Sequence, residues 1–408
     1  MDYSRFFSDD VPSFLRSPVR EIFRKVDLAS IYSFAGGYPD ASTFPLAEME
    51  GLTRRVVEKY GARALQYGGT QGVTELREII SQRYDVPLER VQITTSSQQG
   101  IDVCARVFLN PGDVVLTTYP AYLGALQSFR AYRAEVHRLP LEDLSTPGQG
   151  QGEGPIADGR GRSERSERSS DSGSTVYRRA KLIYIVPDFC NPSGVTITLE
   201  ERQALVEFAR RENLLIVEDS PYRELRYSGP SIPTIYSLAP ERTLHLGSFS
   251  KIFAPGFRLG WIIAEPELLE QIFVCKQALD LCPPVFDQYL AAEFMGSGAL
   301  DRNLERSISL YRDKRDYMVS LLEKYMPDGV SWTHPDGGLF LWVTLPEGIA
   351  TVAMYDSALA AGVAYVAGSF FFPDGSHRNT MRLNFSYLAK ERMEAGVQLL
   401  AAEIKKVL

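Results

Sequence analysis

Cysteine and histidine are scarce in this chain of 408 residues. The four cysteines, Cys104, Cys190, Cys275 and Cys282, form no CxxC pair. The four histidines, His137, His245, His334 and His377, are scattered, with no HExxH and no ligand cluster. A disulfide framework and a metal centre are therefore both unexpected, and free thiols in a reducing cytosol fit better. Long apolar runs are also missing: a membrane helix needs about 18 such residues, and no stretch approaches that. The start, Met1 to Asp10, carries early acids and no apolar segment, so no secretory signal is expected. Basic residues are outnumbered, 44 against 51 acidic, for a net charge of -7, which argues against a general nucleic-acid binder.

What is present is ordinary for a globular enzyme: 44% hydrophobic and 23% charged residues. The length predicts two lobes rather than one small core. Short, nearly continuous apolar runs (Val114 to Thr117, Leu182 to Val186, Leu214 to Val217, Leu259 to Ala264) alternate with helical patterns. Such runs read as strands of a mostly parallel sheet covered on both faces by helices, an α/β architecture. Leu199 to Arg211 has helical spacing, with Thr198 as N-cap and Glu201 three residues on. Beyond about residue 283 the pattern becomes a long helix near 300–326, then short strands around Gly338 to Val343 and Arg382 to Phe385. The expected division is an N-terminal arm 1–40 belonging to the small domain, a large domain 41–282, and a smaller α+β domain 283–408. Residues 145–175 collapse to Gly, Ser, Arg and Glu and read as a tolerated surface insertion, because they cannot bury enough to offset their ordering entropy.

The chemistry concentrates where strands end. Ser248-Phe249-Ser250-Lys251 is followed, seven residues after the lysine, by Arg258. An amine set between hydroxyls and a guanidinium suits a lysine that forms a Schiff base beside a phosphate, as a pyridoxal-phosphate enzyme requires. Ser96-Ser97-Gln98-Gln99 stands between a strand and a helix, where terminal N–H groups receive phosphate. Asp219 ends a buried strand and would face the ligand crevice, where a carboxylate keeps a pyridine nitrogen protonated. Tyr222 follows it and is placed to donate to a phenolic oxygen. Asn191, in Asn191-Pro192-Ser193-Gly194, and Tyr122, after Tyr119-Pro120, close two further strand ends. Tyr122 is suited to stack on a ring. Each feature alone reads as a cap, a turn or a solvated charge; together and in this order they form one constellation.

With Arg382-Leu383-Asn384-Phe385, these motifs resemble those of fold-type I pyridoxal-phosphate aminotransferases of class I/II, over nearly the whole chain. The resemblance implies the α/β pyridoxal-phosphate transferase fold of type I, with a mostly parallel sheet in the large domain and a smaller α+β domain, and assigns roles. Lys251 is the Schiff-base lysine and proton shuttle, Asp219 the partner of the ring nitrogen, and Asn191 and Tyr222 the partners of the ring oxygen. Tyr122 stacks on the ring, and Ser97, Gln98, Gln99, Ser248, Ser250 and Arg258 belong to the phosphate side. Tyr67, in Leu65-Gln66-Tyr67-Gly68, reaches the phosphate of a partner subunit, which implies a homodimer. Arg382, assisted by Asn191, clamps the substrate α-carboxylate. The N-terminal motifs around Arg16 to Glu21, Phe34 to Asp40 and Leu65 to Gly68 resemble the 2-aminoadipate/kynurenine subgroup. That implies a helix carrying Ser17 and Arg20 over the distal end of the substrate, with Gly37 and Tyr38 lining the pocket. The run Phe370-Phe371-Phe372 either shapes that pocket or belongs to the core, and the core reading is favoured.

The resulting expectation is a cytoplasmic transaminase. It would move the amino group of 2-aminoadipate, an aromatic or a large aliphatic amino acid to a 2-oxo acid such as 2-oxoglutarate, with no nucleic-acid or membrane partner. A β-lyase of the same fold is the alternative enzyme. A regulatory ligand-binding homologue is the other alternative, but it needs a DNA-binding module for which the segment before Ala35 is too short.

Overall fold

The computed structural model describes residues 30–144 and 179–408, together with residues 1, 3–8, 11, 176 and 177. Ser17, Arg20 and the 145–175 segment fall outside these residues. The centre is a seven-stranded sheet. Its strands are β1 (Val91–Thr94), β2 (Val114–Thr117), β3 (Glu135–Arg138), β4 (Ala180–Ile185), β5 (Leu215–Asp219), β6 (Thr243–Ser248) and β7 (Gly260–Ile263), in spatial order β1-β7-β6-β5-β4-β2-β3. Pairs from β6 through β3 are parallel, while β7 runs antiparallel to both β6 and β1. Every residue of β1, β2, β6 and β7 is buried, as a sheet covered on both faces requires.

The reversal of β7 decides which residues meet at one end of the sheet. Because β7 opposes both its neighbours, β1 and β6 point the same way, and the carboxyl ends of β1, β2, β4, β5 and β6 share one edge. Gly260, which opens β7, pairs with Ser248 and with Thr94, the last residues of β6 and β1. Arg258 therefore enters the same edge from the opposite direction. Gly260 is the residue this junction demands. A Cβ there would lie 2.7 Å from the Gly247 carbonyl oxygen and from the backbone of Ser96 and Ser97.

Helices α1 (Ser96–Phe108), α2 (Leu123–Ala131), α3 (Leu199–Arg211) and α4 (Pro266–Leu279) connect or flank these strands. The N-terminus of α3 is the expected capping box: Thr198 Oγ1 accepts from Glu201 N, and the Glu201 carboxylate accepts from Thr198 N. The long helix α5 (Ala299–Tyr325) leads to a four-stranded antiparallel sheet containing β8 (Phe340–Thr344) and β9 (Thr380–Asn384), and α6 (Lys390–Lys405) packs along α5. The N-terminal segment joins this region, since Tyr32–Ser33 pairs in parallel with Val363–Ala364. Phe371 and Phe372 are buried with Trp342 while Phe370 is exposed, so two of the three phenylalanines are core. Among the described residues no helix is long and apolar enough to cross a membrane.

Candidate active site

A cavity of about 660 Å³ opens at the shared strand edge. It is lined by Ser96, Ser97 and Gln98 from the start of α1, Tyr122 after β2, Asn191 after β4, Asp219 and Tyr222 from β5 and its turn, and Ser248, Ser250, Lys251 and Arg258 around β6 and β7. Gly37 and Tyr38 of the N-terminal segment and Arg382 of β9 complete the wall. Residues as distant in the chain as Gly37 and Arg382 thus meet around a crevice to which the parallel strands deliver their carboxyl ends.

The phosphate-suited end is built from α1 and Arg258. Ser96 sits at φ +69° and its Oγ accepts from Arg258 Nη2 at 2.7 Å. That positive φ turns the chain sharply into α1 and brings terminal N–H groups and a guanidinium to one place. Gln98 Nε2 donates to the Gly124 carbonyl at 3.0 Å, and Gln98 Oε1 accepts from Tyr122 Oη at 3.2 Å. Gln99 departs from expectation, because it does not line the cavity. Its Oε1 accepts from Thr95 N at 2.8 Å and its Nε2 donates to Asp280 at 2.7 Å. The reason is helical phase: each residue advances about 100° around the helix, so with Ser97 and Gln98 on the cavity side Gln99 has turned past it. Asp280 in turn accepts from Thr95 Oγ1 and from the buried Lys276, so Gln99 braces the turn from behind.

Elsewhere on the cavity wall Asp219 is buried, and burial pushes its carboxyl up to about 6, against the opposing pull of the Tyr184 hydroxyl. Tyr184 Oη donates to Asp219 Oδ2 at 2.7 Å, while Asp219 Oδ1 is buried with no hydrogen-bond partner among the described residues. The neighbouring acid, Glu218, points to the other face of the sheet. There burial is outweighed by His245 and by two backbone N–H groups, which leave its carboxyl below the ordinary value. Two consecutive acids are thus driven apart by their surroundings, and the one facing the cavity is the unsatisfied one.

Lys251 lines the same cavity. Its Nζ donates to the Gly37 carbonyl at 2.9 Å. Burial, reinforced by the positive charges of Arg258 and Arg382, pushes its amine down to about 8. Arg382 is buried; its Nη1 donates to Asn191 Oδ1 at 2.7 Å and its Nη2 to the Ala35 carbonyl, while Nε has no partner among the described residues. The guanidinium lies 4.4 Å from the Phe340 ring centre and 5.3 Å from that of Phe371. Tyr67 is not in this cavity. It is 77% exposed in a second concavity, with Arg63 and Tyr289. Sequence reasoning misses Tyr184 as a site residue, and it places Ser96 in the phosphate motif without a role of its own. The signal for Tyr184 is a hydroxyl inside the apolar run Leu182 to Val186, which must find a partner.

The sequence pattern of the family Aminotransferase class I and II matches residues 38–400. The chain belongs to that family. It is 42% identical to aromatic-amino-acid aminotransferase 1 of Thermococcus litoralis, covering 100% of this chain and 95% of that one. It is 34% identical to 2-aminoadipate transaminase of Thermus thermophilus, covering 100% and 98%. The solved kynurenine aminotransferase of Pyrococcus horikoshii superposes with a TM-score of 0.88 at 38% identity, covering 100% and 98%. This aminotransferase therefore has the fold-type I architecture and uses pyridoxal 5′-phosphate.

The cavity of the aminotransferase fits that cofactor. Asp219 Oδ1 is an unsatisfied acceptor for a protonated ring nitrogen, the start of α1 with Arg258 is an anion cradle, and Lys251 is an amine whose neutral form is accessible. Only the neutral amine is a nucleophile. Covalent capture of the cofactor by the cofactor-free protein should therefore accelerate as pH rises, with a midpoint near 8, where Lys251 loses its proton. Stopped-flow absorbance across pH checks this; a midpoint above about 10, the ordinary lysine value, would show that the burial and the two guanidinium charges do not act on Lys251.

Proposed function

We propose that this aminotransferase takes 2-aminoadipate, aromatic or large aliphatic amino acids as donors and a 2-oxo acid such as 2-oxoglutarate as acceptor. The observation that carries the reading is the convergence of Lys251, Asp219 and Arg382 on one cavity. The relatives named for aromatic, 2-aminoadipate and kynurenine transamination support the donor range.

The cofactor, when bound, supplies an electron sink that makes the substrate Cα–H acidic. The protein's own residues do the rest in this reading. Ser97, Gln98, Ser248, Ser250 and Arg258 hold the phosphate, Asp219 holds the ring nitrogen protonated, Asn191 and Tyr222 meet the ring oxygen, and Tyr122 covers the ring. Arg382 orients the α-carboxylate through Nε, which has no other partner among the described residues, and through Nη2 in place of the Ala35 carbonyl. With the α-carboxylate held by Arg382, Lys251 would be the base for the substrate Cα proton and the group that returns a proton to complete the transfer. Loss of that carboxylate by decarboxylation would be opposed by Arg382, which would hold it in place. Gly37 and Tyr38 border the side-chain end, and Tyr38 is steadied by its carbonyl, which accepts from Ser386 Oγ at 2.7 Å.

Among the described cavity-lining residues the cations are Lys251, Arg258 and Arg382, all engaged in these roles. A distal carboxylate needs a further cation, and Arg20, together with Ser17, is what we assign to that end. Arg20→Ala should raise KM for 2-aminoadipate several-fold and leave KM for leucine nearly unchanged; equal effects on both donors reject the assignment. We also propose a cytoplasmic homodimer, with the division 1–40, 41–282 and 283–408. The exposure of Tyr67 and Leu65 outside their own Lys251 cavity supports a partner subunit, and four cysteines free of disulfides support a reducing compartment. Transaminase and β-lyase are separated by product. The transaminase converts its cofactor to the amine form with a donor alone and releases 2-oxo acid without ammonia, whereas pyruvate and ammonia from a cysteine conjugate would replace this reading.

A further inference from the structure

Asp219 and Tyr184 sit on adjacent parallel strands. Tyr184 of β4 is paired in register with Val217 of β5, so Tyr184, Val217 and Asp219 share one face of the sheet. Tyr184 is among the largest fully buried side chains, and Phe129 of α2 packs edge-on against its ring at a centroid distance of 5.5 Å. A tyrosine so enclosed keeps its hydroxyl where its ring is held. The hydroxyl reaches one carboxylate oxygen, Asp219 Oδ2, at 2.7 Å. The other oxygen, Oδ1, is buried and has no partner among the described residues, although Asp219 forms part of the cavity wall.

A buried tyrosine hydroxyl needs an acceptor, but any strand carbonyl would satisfy it. Placing that acceptor on Asp219 does something a carbonyl would not. A carboxylate held at one oxygen cannot rotate freely about its Cβ–Cγ bond, so the direction of the second oxygen is set by a residue that never touches the ligand. Burial, and next the negative charge of Asp219, hold the phenol far above its ordinary value, so Tyr184 acts only as a donor and the carboxylate only as an acceptor. Its hydrogen bond opposes the burial that drives Asp219 toward protonation.

From this geometry we infer that Tyr184 is a positioning residue for the reaction: it pins Asp219 through Oδ2 and so aims Oδ1 at the ring nitrogen of the cofactor. The inference rests on the reading that Asp219 meets that nitrogen. Tyr184 itself makes no contact with cofactor or substrate and acts only through the carboxylate, as supporting residues of ligand-binding groups do.

The test compares two ligands of the cofactor-free protein: pyridoxal 5′-phosphate and its analogue in which a ring CH replaces the pyridine nitrogen. Equilibrium dissociation constants are measured by absorbance titration for the wild-type protein and for Tyr184→Phe, which keeps the ring packed on Phe129 and removes only the hydroxyl. The wild-type protein should bind the natural cofactor more tightly than the carbon analogue. In Tyr184→Phe the natural cofactor should lose about tenfold or more in affinity, the scale of one hydrogen bond to a charged group, while the analogue stays within about twofold. Equal losses for both ligands, or none for either, would overturn the role of Tyr184, because a merely structural change cannot tell nitrogen from carbon. A wild-type protein that does not distinguish the two ligands would overturn the Asp219 pairing and, with it, the inference.

Discussion

Replacing Lys251 by alanine should lower transamination by at least about a thousandfold. A positioned general base alone contributes about 10² to 10⁴ in rate, and Lys251 is the one amine among the described cavity residues suited both to hold the cofactor covalently and to carry the proton to and from Cα. Its surroundings fit both tasks, since burial with Arg258 and Arg382 nearby brings the amine down to about 8. Loss of the side chain should leave the α1 terminus and Arg258 in place, because Arg258 is held by Ser96 rather than by Lys251. The variant should therefore retain cofactor through dialysis while losing turnover. Activity close to that of the wild type would exclude Lys251 as the proton carrier.

The second large effect concerns Arg382. Arg382→Ala should reduce kcat/KM for amino acids by about 10² to 10³, within the roughly 2–5 kcal/mol typical of truncating a buried, hydrogen-bonded charge. Part of this is the loss of the α-carboxylate clamp, and part is the unpaired Asn191 Oδ1 left behind. Burial already pulls the guanidinium down to about 10, which is the strain of holding an isolated cation ready for an anion. Arg382→Lys should recover little, since a single ammonium cannot hold Asn191 and a carboxylate in one planar fork. The control is a primary amine without an α-carboxylate, whose slow reaction with the bound cofactor should be unaffected. Equal losses for the amine and the amino acid would mean that Arg382 supports the fold rather than the substrate.

Most of the cavity is legible in the sequence, and the reason is geometric. Buried parallel strands must be apolar on both faces, so their ends stand out, and the residues just past those ends face the crevice. Asp219, Asn191, Tyr122, Tyr222, Ser248 and Lys251 follow that rule, and the structure brings them to one cavity. Arg258 reaches the same edge only because β7 runs backwards, and an apolar run carries no mark of its direction. Gln99 departs from its expected place because a motif taken residue by residue ignores helical phase, which lets only Gln98 of the pair face inward. Tyr184 escapes notice because a tyrosine in a strand reads as a good strand former, and its hydroxyl partner lies on the neighbouring strand. Gly37 and Tyr38 follow only from the family resemblance; their place beside Lys251 depends on the pairing of Tyr32–Ser33 with Val363–Ala364, a contact between segments remote in sequence.

The decisive measurement is a donor panel with 2-oxoglutarate on the purified protein loaded with pyridoxal 5′-phosphate, reading glutamate formed. Strong turnover of 2-aminoadipate, kynurenine or aromatic donors is the expected result. No glutamate from any donor, with the cofactor still bound, would contradict the donor and acceptor assignment made from the cavity.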